Sequence, residues 1–216
     1  MKNISPLFVS LIFFTACKFG HSNTQTKDSV LTSSARTDTA AQPAMVAKHF
    51  LKWYRDNLDT LYKIKTIAGG PADNSDDKTA KNYFVDFKEV DKYLSTFKKT
   101  GFVSDKFIAG EHKAFIEADR GFKKNPANDG PPNGFDYDHI LLTQEDYTKD
   151  LANLDNIPFT AHQSTSNTAE VTFSLPNCGM KYKYLLSKEN SDWLIDEIKN
   201  ESVALLRSEL SLISCQ

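Results

Sequence analysis

Apolar side chains recur at helical spacing through the front of this chain and at alternate positions through its back. That change of period restricts the fold to an α+β arrangement, with N-terminal helices packed on a C-terminal antiparallel sheet. Val46, Phe50, Trp53, Tyr54, Leu58 and Leu61 predict a long core helix from Pro43 to about Ile64, since a first helical turn tolerates proline. Asp86 with Glu89 resembles a capping box, and Phe87, Val90, Leu94 and Phe97 follow until Lys98, Lys99 and Gly101 signal a stop. Ser104 opens a third expected helix that carries Phe107, Ile108, Phe115 and Ile116 and ends by Gly121.

After a Pro/Gly/Asn loop from Asn125 to Gly134 the period becomes two. Strands are expected at 159–163, 170–175, 182–186 and 192–198, the last three a meander through turns at Asn177-Cys178-Gly179 and Glu189-Asn190-Ser191. Such a sheet has one face to cover, and the long first helix is the natural cover. Val203, Leu206, Leu210 and Ile213 are spaced for a final helix.

Ahead of the domain, Lys2 precedes an apolar run from Leu7 to Phe14, too short to span a bilayer, and Thr15 and Ala16 lead into Cys17. This opening resembles a bacterial lipoprotein signal. The resemblance implies that residues 1–16 are removed and that Cys17 becomes a diacylated N-terminus. The alternative is an ordinary secretory peptide cleaved nearby. Two acyl chains hold a protein stably on a bilayer, at about 0.8 kcal/mol per buried methylene. Lys18 in place of Asp points to the periplasmic face of the outer membrane by analogy with enterobacterial sorting. Residues 17–42 then read as the lipidated cysteine and a flexible tether, rich in Ser, Thr, Gln and Ala, whose random-coil span is roughly 25–30 Å.

Residues 43–216 read as a single domain, long enough to bury about 70% of its unfolded surface without a metal. Loss of Lys2 with the signal takes the net charge from −2 to −3, which excludes a nucleic-acid footprint. In an oxidising compartment Cys178 and Cys215 form an even pair and are expected to be bonded. That bridge closes about 37 residues, worth roughly 3–4 kcal/mol on the chain-entropy account. Two free buried thiols are the alternative, and neither cysteine has the His or CxxC context of a nucleophile.

Three segments carry a further likeness: the Phe50-Leu51-x-Trp53-Tyr54 string, the stretch Gly134-Phe-Asp-Tyr-Asp-His-Ile-Leu-Leu-Thr-Gln-Glu-Asp-Tyr147, and the terminal Trp193-Leu-Ile-Asp-Glu-Ile198 strand. Together they resemble a family of small bacterial envelope proteins that includes the YbjP and YqhG lipoproteins and has no assigned activity. The resemblance implies the cone-shaped fold of the nuclear-transport-factor and SnoaL superfamily, which is cystatin-like, with helices on a strongly curved antiparallel sheet. It supplies a fold and a compartment, and no reaction.

Polar groups cluster in the middle motif. In extended backbone Asp136 and Asp138 point to one side of Tyr137, with Gln144, Asp146 and Tyr147 within reach. One reading is a pocket that binds a cationic or hydroxylated ligand, or in which one carboxylate acts as a base. The other is that the aspartates cap turns where helices give way to sheet. His139 is a candidate base beside Asp138. Trp53, Tyr54, Phe50 and Trp193 would line a cavity between helix and sheet, or pack the core.

The acidic run Asp73-Asn-Ser-Asp-Asp77 lacks the Gly and distal Glu of a calcium loop, and the histidines have no metal-ligand spacing, so no metal or cofactor is expected. Nor is there a GxSxG or P-loop motif. Two functions remain open. One is a membrane-tethered binding or accessory module for an envelope protein or small ligand. The other is a small isomerase or hydratase that uses Asp136 or Asp138 as base.

Overall fold

The computed structural model describes residues 34–71 and 79–202, with side chains of the first helix described from residue 42. Cys17, Cys215, the Asp73–Asp77 run and the expected final helix lie outside the described residues.

Helix α1 spans Ser34–Tyr62 and so begins ahead of Pro43, within the stretch read as tether. Proline at this point lacks one backbone donor but has a helix-compatible φ, and Ala44 and Ala47 are strong helix formers on its C-terminal side. From Pro43 onward α1 buries Ala47, Phe50, Leu51, Tyr54 and Leu61. Helix α2, Phe87–Lys98, is capped by Asp86, whose carboxylate accepts from the N–H of Lys88 and of Glu89. The Glu89 side chain turns to Lys92 instead of back to the cap. Helix α3, Asp105–Lys124, starts at Ser104, whose hydroxyl accepts the Phe107 N–H. It runs past Gly121, because Phe122 completes its buried face and the Asn125 N–H still bonds the Gly121 carbonyl at 2.9 Å.

Strands β1 (Ile67–Gly70) and β2 (Lys81–Val85) form a two-stranded antiparallel sheet that periodicity did not reveal. Gly69 allows it: at φ +88° a Cβ there would stand 2.4 Å from the Asn82 carbonyl oxygen. With α2 and α3 this hairpin encloses a minor core of Val85, Val90, Leu94, Phe115 and Phe122.

The main sheet is a four-stranded antiparallel meander in the order β3 (Thr160–Gln163), β4 (Thr168–Leu175), β5 (Met180–Glu189), β6 (Asp192–Asn200). Alternation is clean on the central strands: Ala169, Val171, Phe173 and Leu175 of β4, and Tyr182, Tyr184 and Leu186 of β5, face inward. Asn190 and Ser191 both adopt positive φ, as a two-residue type I′ hairpin requires. Helix α1 covers the sheet through β3, β4 and β6, as the one-sided pattern requires. Beside β6, the Ile195 N–H bonds the Phe102 carbonyl at 2.8 Å and Ser104 bonds back at 3.0 Å, so the α2–α3 connection occupies that strand's free side. The architecture is α+β.

Candidate functional site

The loop between α3 and the short helix α4 (Thr148–Ala152) contains the middle motif, and its geometry is a closed turn. Asp138 and Thr143 form an isolated bridge, with the Asp138 N–H on the Thr143 carbonyl at 2.9 Å. Asp138 Oδ1 accepts the N–H of Ile140 (3.0 Å) and of Leu141 (2.7 Å), an Asx turn that folds the chain back on itself. Closing it puts Leu142 at φ 50°, a conformation that costs a branched side chain roughly 1–2 kcal/mol. The sheet holds it there. Tyr182 donates to the Leu141 carbonyl at 2.8 Å, and the Asn200 amide donates to the Leu142 carbonyl at 3.2 Å.

This turn separates the two aspartates that an extended strand would have aligned. Asp136 is exposed and accepts the Gln144 amide at 2.7 Å. Asp138 points inward, and its Oδ2 receives three tyrosine hydroxyls: Tyr54 at 2.6 Å, Tyr62 at 3.4 Å, and Tyr147. Tyr62 and Tyr147 also share a hydrogen bond of 2.7 Å. Burial, then the Asp138 charge, pushes the Tyr54 and Tyr147 hydroxyls far above the ordinary tyrosine range, so both remain protonated donors. Tyr93 behaves likewise for the same two reasons. A cavity of about 240 Å³ opens beside this cluster.

The remaining expected residues are spread out. Asp146 lies just ahead of α4 and accepts the Thr148 N–H at 2.9 Å. Trp53 packs edge-on against Phe97, with centroids 5.2 Å apart, and Phe50 and Trp193 are buried in the main core, so these aromatics fill space. Tyr137 lies at the surface, its ring 5.1 Å from His139. His139 is wedged among Phe115, Phe135 and Tyr137, and its Nε2 is buried without a hydrogen-bond partner. Burial lowers its pKa, although the Asp138 charge opposes the shift. Cys178 is half-buried with Sγ 3.6 Å from the Leu175 carbonyl oxygen.

Sequence reasoning missed Asp150, which is 1% exposed on α4. It accepts the Asn177 N–H (3.0 Å), the Asn177 amide (2.8 Å) and the Cys178 N–H (3.0 Å), tying α4 to the β4–β5 turn. Burial alone would raise its pKa, but these bonds hold it below the usual carboxylate value. Asp150→Ala strands three donors and is expected to cost about 2–3 kcal/mol, read as a drop in the urea midpoint at unchanged slope.

Among the described residues there is no group of three or more His, Cys, Asp or Glu able to hold a metal, and no helix long and apolar enough to cross a membrane. No family model, curated protein or solved structure matches the chain.

Proposed function

We propose that the chain is a lipid-anchored envelope protein of the YbjP and YqhG kind, held on the periplasmic face of the outer membrane through Cys17. Its cone-like α+β domain then serves as a binding or accessory module for an envelope protein or small ligand. The observation that carries this reading is the saturation of Asp138: both carboxylate oxygens are engaged by five donors. A general base needs a free lone pair aimed at substrate. Asp138 offers none, and Asp136 is a solvated surface group paired with Gln144. The space between α1 and the sheet is filled by rings packed tilted or edge-on, such as Phe50, Phe97, Phe173 and Tyr184. Open space at the surface includes a groove of about 810 Å³ along α2 and α3 and one of about 930 Å³ between the Tyr137–Glu145 turn and β6. Open grooves on a rigid filled body suit recognition.

The test replaces the lipidated residue. Cys17→Ser is expected to abolish incorporation of labelled palmitate, release the protein from the membrane fraction, and remove a defined partner captured by crosslinking in intact cells. Unchanged palmitate labelling or membrane retention in the variant would refute the anchor. A partner captured equally without the anchor would refute the role of tethering.

A further inference from the structure

Glu111 sits where α3 should be apolar. It lies four residues after Phe107 and four before Phe115, on the stripe those two and Phe122 bury against the protein. The other acid on this face, Asp119, is neutralised by Lys123 at 2.6 Å. Glu111 has no hydrogen bond or ion pair among the described residues. A carboxylate half-buried on an apolar face without a countercharge is costly unless something is gained by keeping it there.

It opens into a pocket of about 410 Å³ between α3 and the Asn133–Leu142 loop. One wall is aromatic and continuous: Phe122 against Phe135 (5.9 Å between centroids), Phe135 against His139 (4.3 Å), and His139 against Tyr137 (5.1 Å). Helix α3, which contributes Phe122, also lines the pocket with the small residues Ala114, Ala118 and Gly121, which leave room. Gly121 has an ordinary helical backbone, and a Cβ added to it would meet nothing within 4 Å. The lining includes a second carboxylate, Glu117, which pairs with Lys113 at 3.8 Å outside the pocket, and no Lys or Arg. Ring faces and a half-buried carboxylate attract the same kind of guest, because both present negative potential and neither can be satisfied by an anion.

We infer that this pocket is a binding site for a small organic cation, a primary or methylated ammonium with a short apolar flank, which pairs with Glu111 and rests against the Phe122–Phe135–His139–Tyr137 wall. The inference deepens the reading of the domain as a binding module but does not depend on the anchor. The buried Nε2 of His139, which has no partner, supplies a further polar contact for the guest.

The pH dependence follows. Burial raises the Glu111 pKa to about 7. The titratable groups around it are Tyr93 from α2, Tyr137 and His139 from the loop, and Glu117 on its own helix. The tyrosine Tyr93 stays protonated, and burial keeps His139 neutral to lower pH than usual. A cation binds the ionised form of Glu111, so affinity rises as pH climbs through the free group's pKa. Between pH 6 and pH 8 the gain is about tenfold.

The experiment titrates butylammonium into the full chain, solubilised in a non-ionic detergent, and follows backbone amide shifts of the Asn133–Leu142 loop by NMR, with butanol as the neutral counterpart. Saturable shifts are expected with butylammonium and at least tenfold weaker ones with butanol. Glu111→Gln should weaken binding tenfold or more and flatten the pH profile. Gly121→Leu, which fills the pocket from a helical position with open space, should abolish binding while the rest of the spectrum stays native. Absence of saturable shifts in the folded wild-type protein overturns the proposal, as does equal affinity in Glu111→Gln or for butanol. Either failure leaves palmitate labelling and partner capture untouched, whereas loss of those leaves this pocket standing.

Discussion

Asp138→Ala is expected to lower stability by about 4 kcal/mol, because one side chain terminates five hydrogen bonds that join three parts of the chain. Removal strands the Ile140 and Leu141 N–H groups within a tight turn and the Tyr54 hydroxyl in the core, where Tyr54 is 3% exposed. A buried donor left without a partner costs about 1–3 kcal/mol, and bonds to a charged acceptor stand at the upper end. Tyr62, 58% exposed, finds water and adds little. The strained Leu142 conformation also loses the Asx turn that imposes it. Asp138→Asn keeps one acceptor oxygen for the backbone donors and should cost about half as much. Urea unfolding monitored by tryptophan fluorescence gives both values, and a loss below about 1 kcal/mol for alanine would show that the cluster is ornamental.

Phe97→Ala is expected to cost about 4 kcal/mol. Phe97 is fully buried at the C-terminal end of α2 and touches the rings of Phe50, Trp53 and Tyr54 on α1, Tyr93 on its own helix, and Phe107 on α3. It is therefore the side chain through which the three long helices share one core. Truncation loses the transfer free energy of the ring and leaves a cavity that three helices must relax together to fill. Phe97→Leu retains most of the volume and should cost about 1–2 kcal/mol. Equal losses for the two variants would mean that ring geometry, not volume, dominates this junction.

The helices and the meander were readable because one period runs through each: Val90, Leu94 and Phe97 recur on α2, and Val171, Phe173 and Leu175 alternate on β4. The β1–β2 hairpin was not, since Ile67-Ala-Gly-Gly70 carries too few side chains to show a period and its pairing rests on backbone freedom at Gly69. Gly121 misled in the opposite direction. A glycine near the end of a helical pattern resembles a stop, yet the buried Phe122 carries α3 through it.

At the site, the sequence located the polar cluster but not its purpose. Asp138 and Tyr147 are nine residues apart, whereas Tyr54 and Tyr62 reach the same oxygen from 84 and 76 residues away, a convergence only tertiary packing creates. The alignment of Asp136 with Asp138 assumed extended backbone, and the turn closed at Thr143 removes it. Glu111 does leave a sequence signal, since an acid at i+4 from Phe107 and i−4 from Phe115 interrupts the buried stripe of α3.

The central claim is that the Asp138 cluster holds the fold while recognition happens elsewhere on the domain. Asp138→Asn tests it most directly when its urea midpoint and its butylammonium affinity are measured on the same preparation at a temperature where the variant remains folded. The account predicts a lower midpoint with unchanged affinity. An unchanged midpoint with affinity lost would contradict it and make Asp138 a ligand-binding residue.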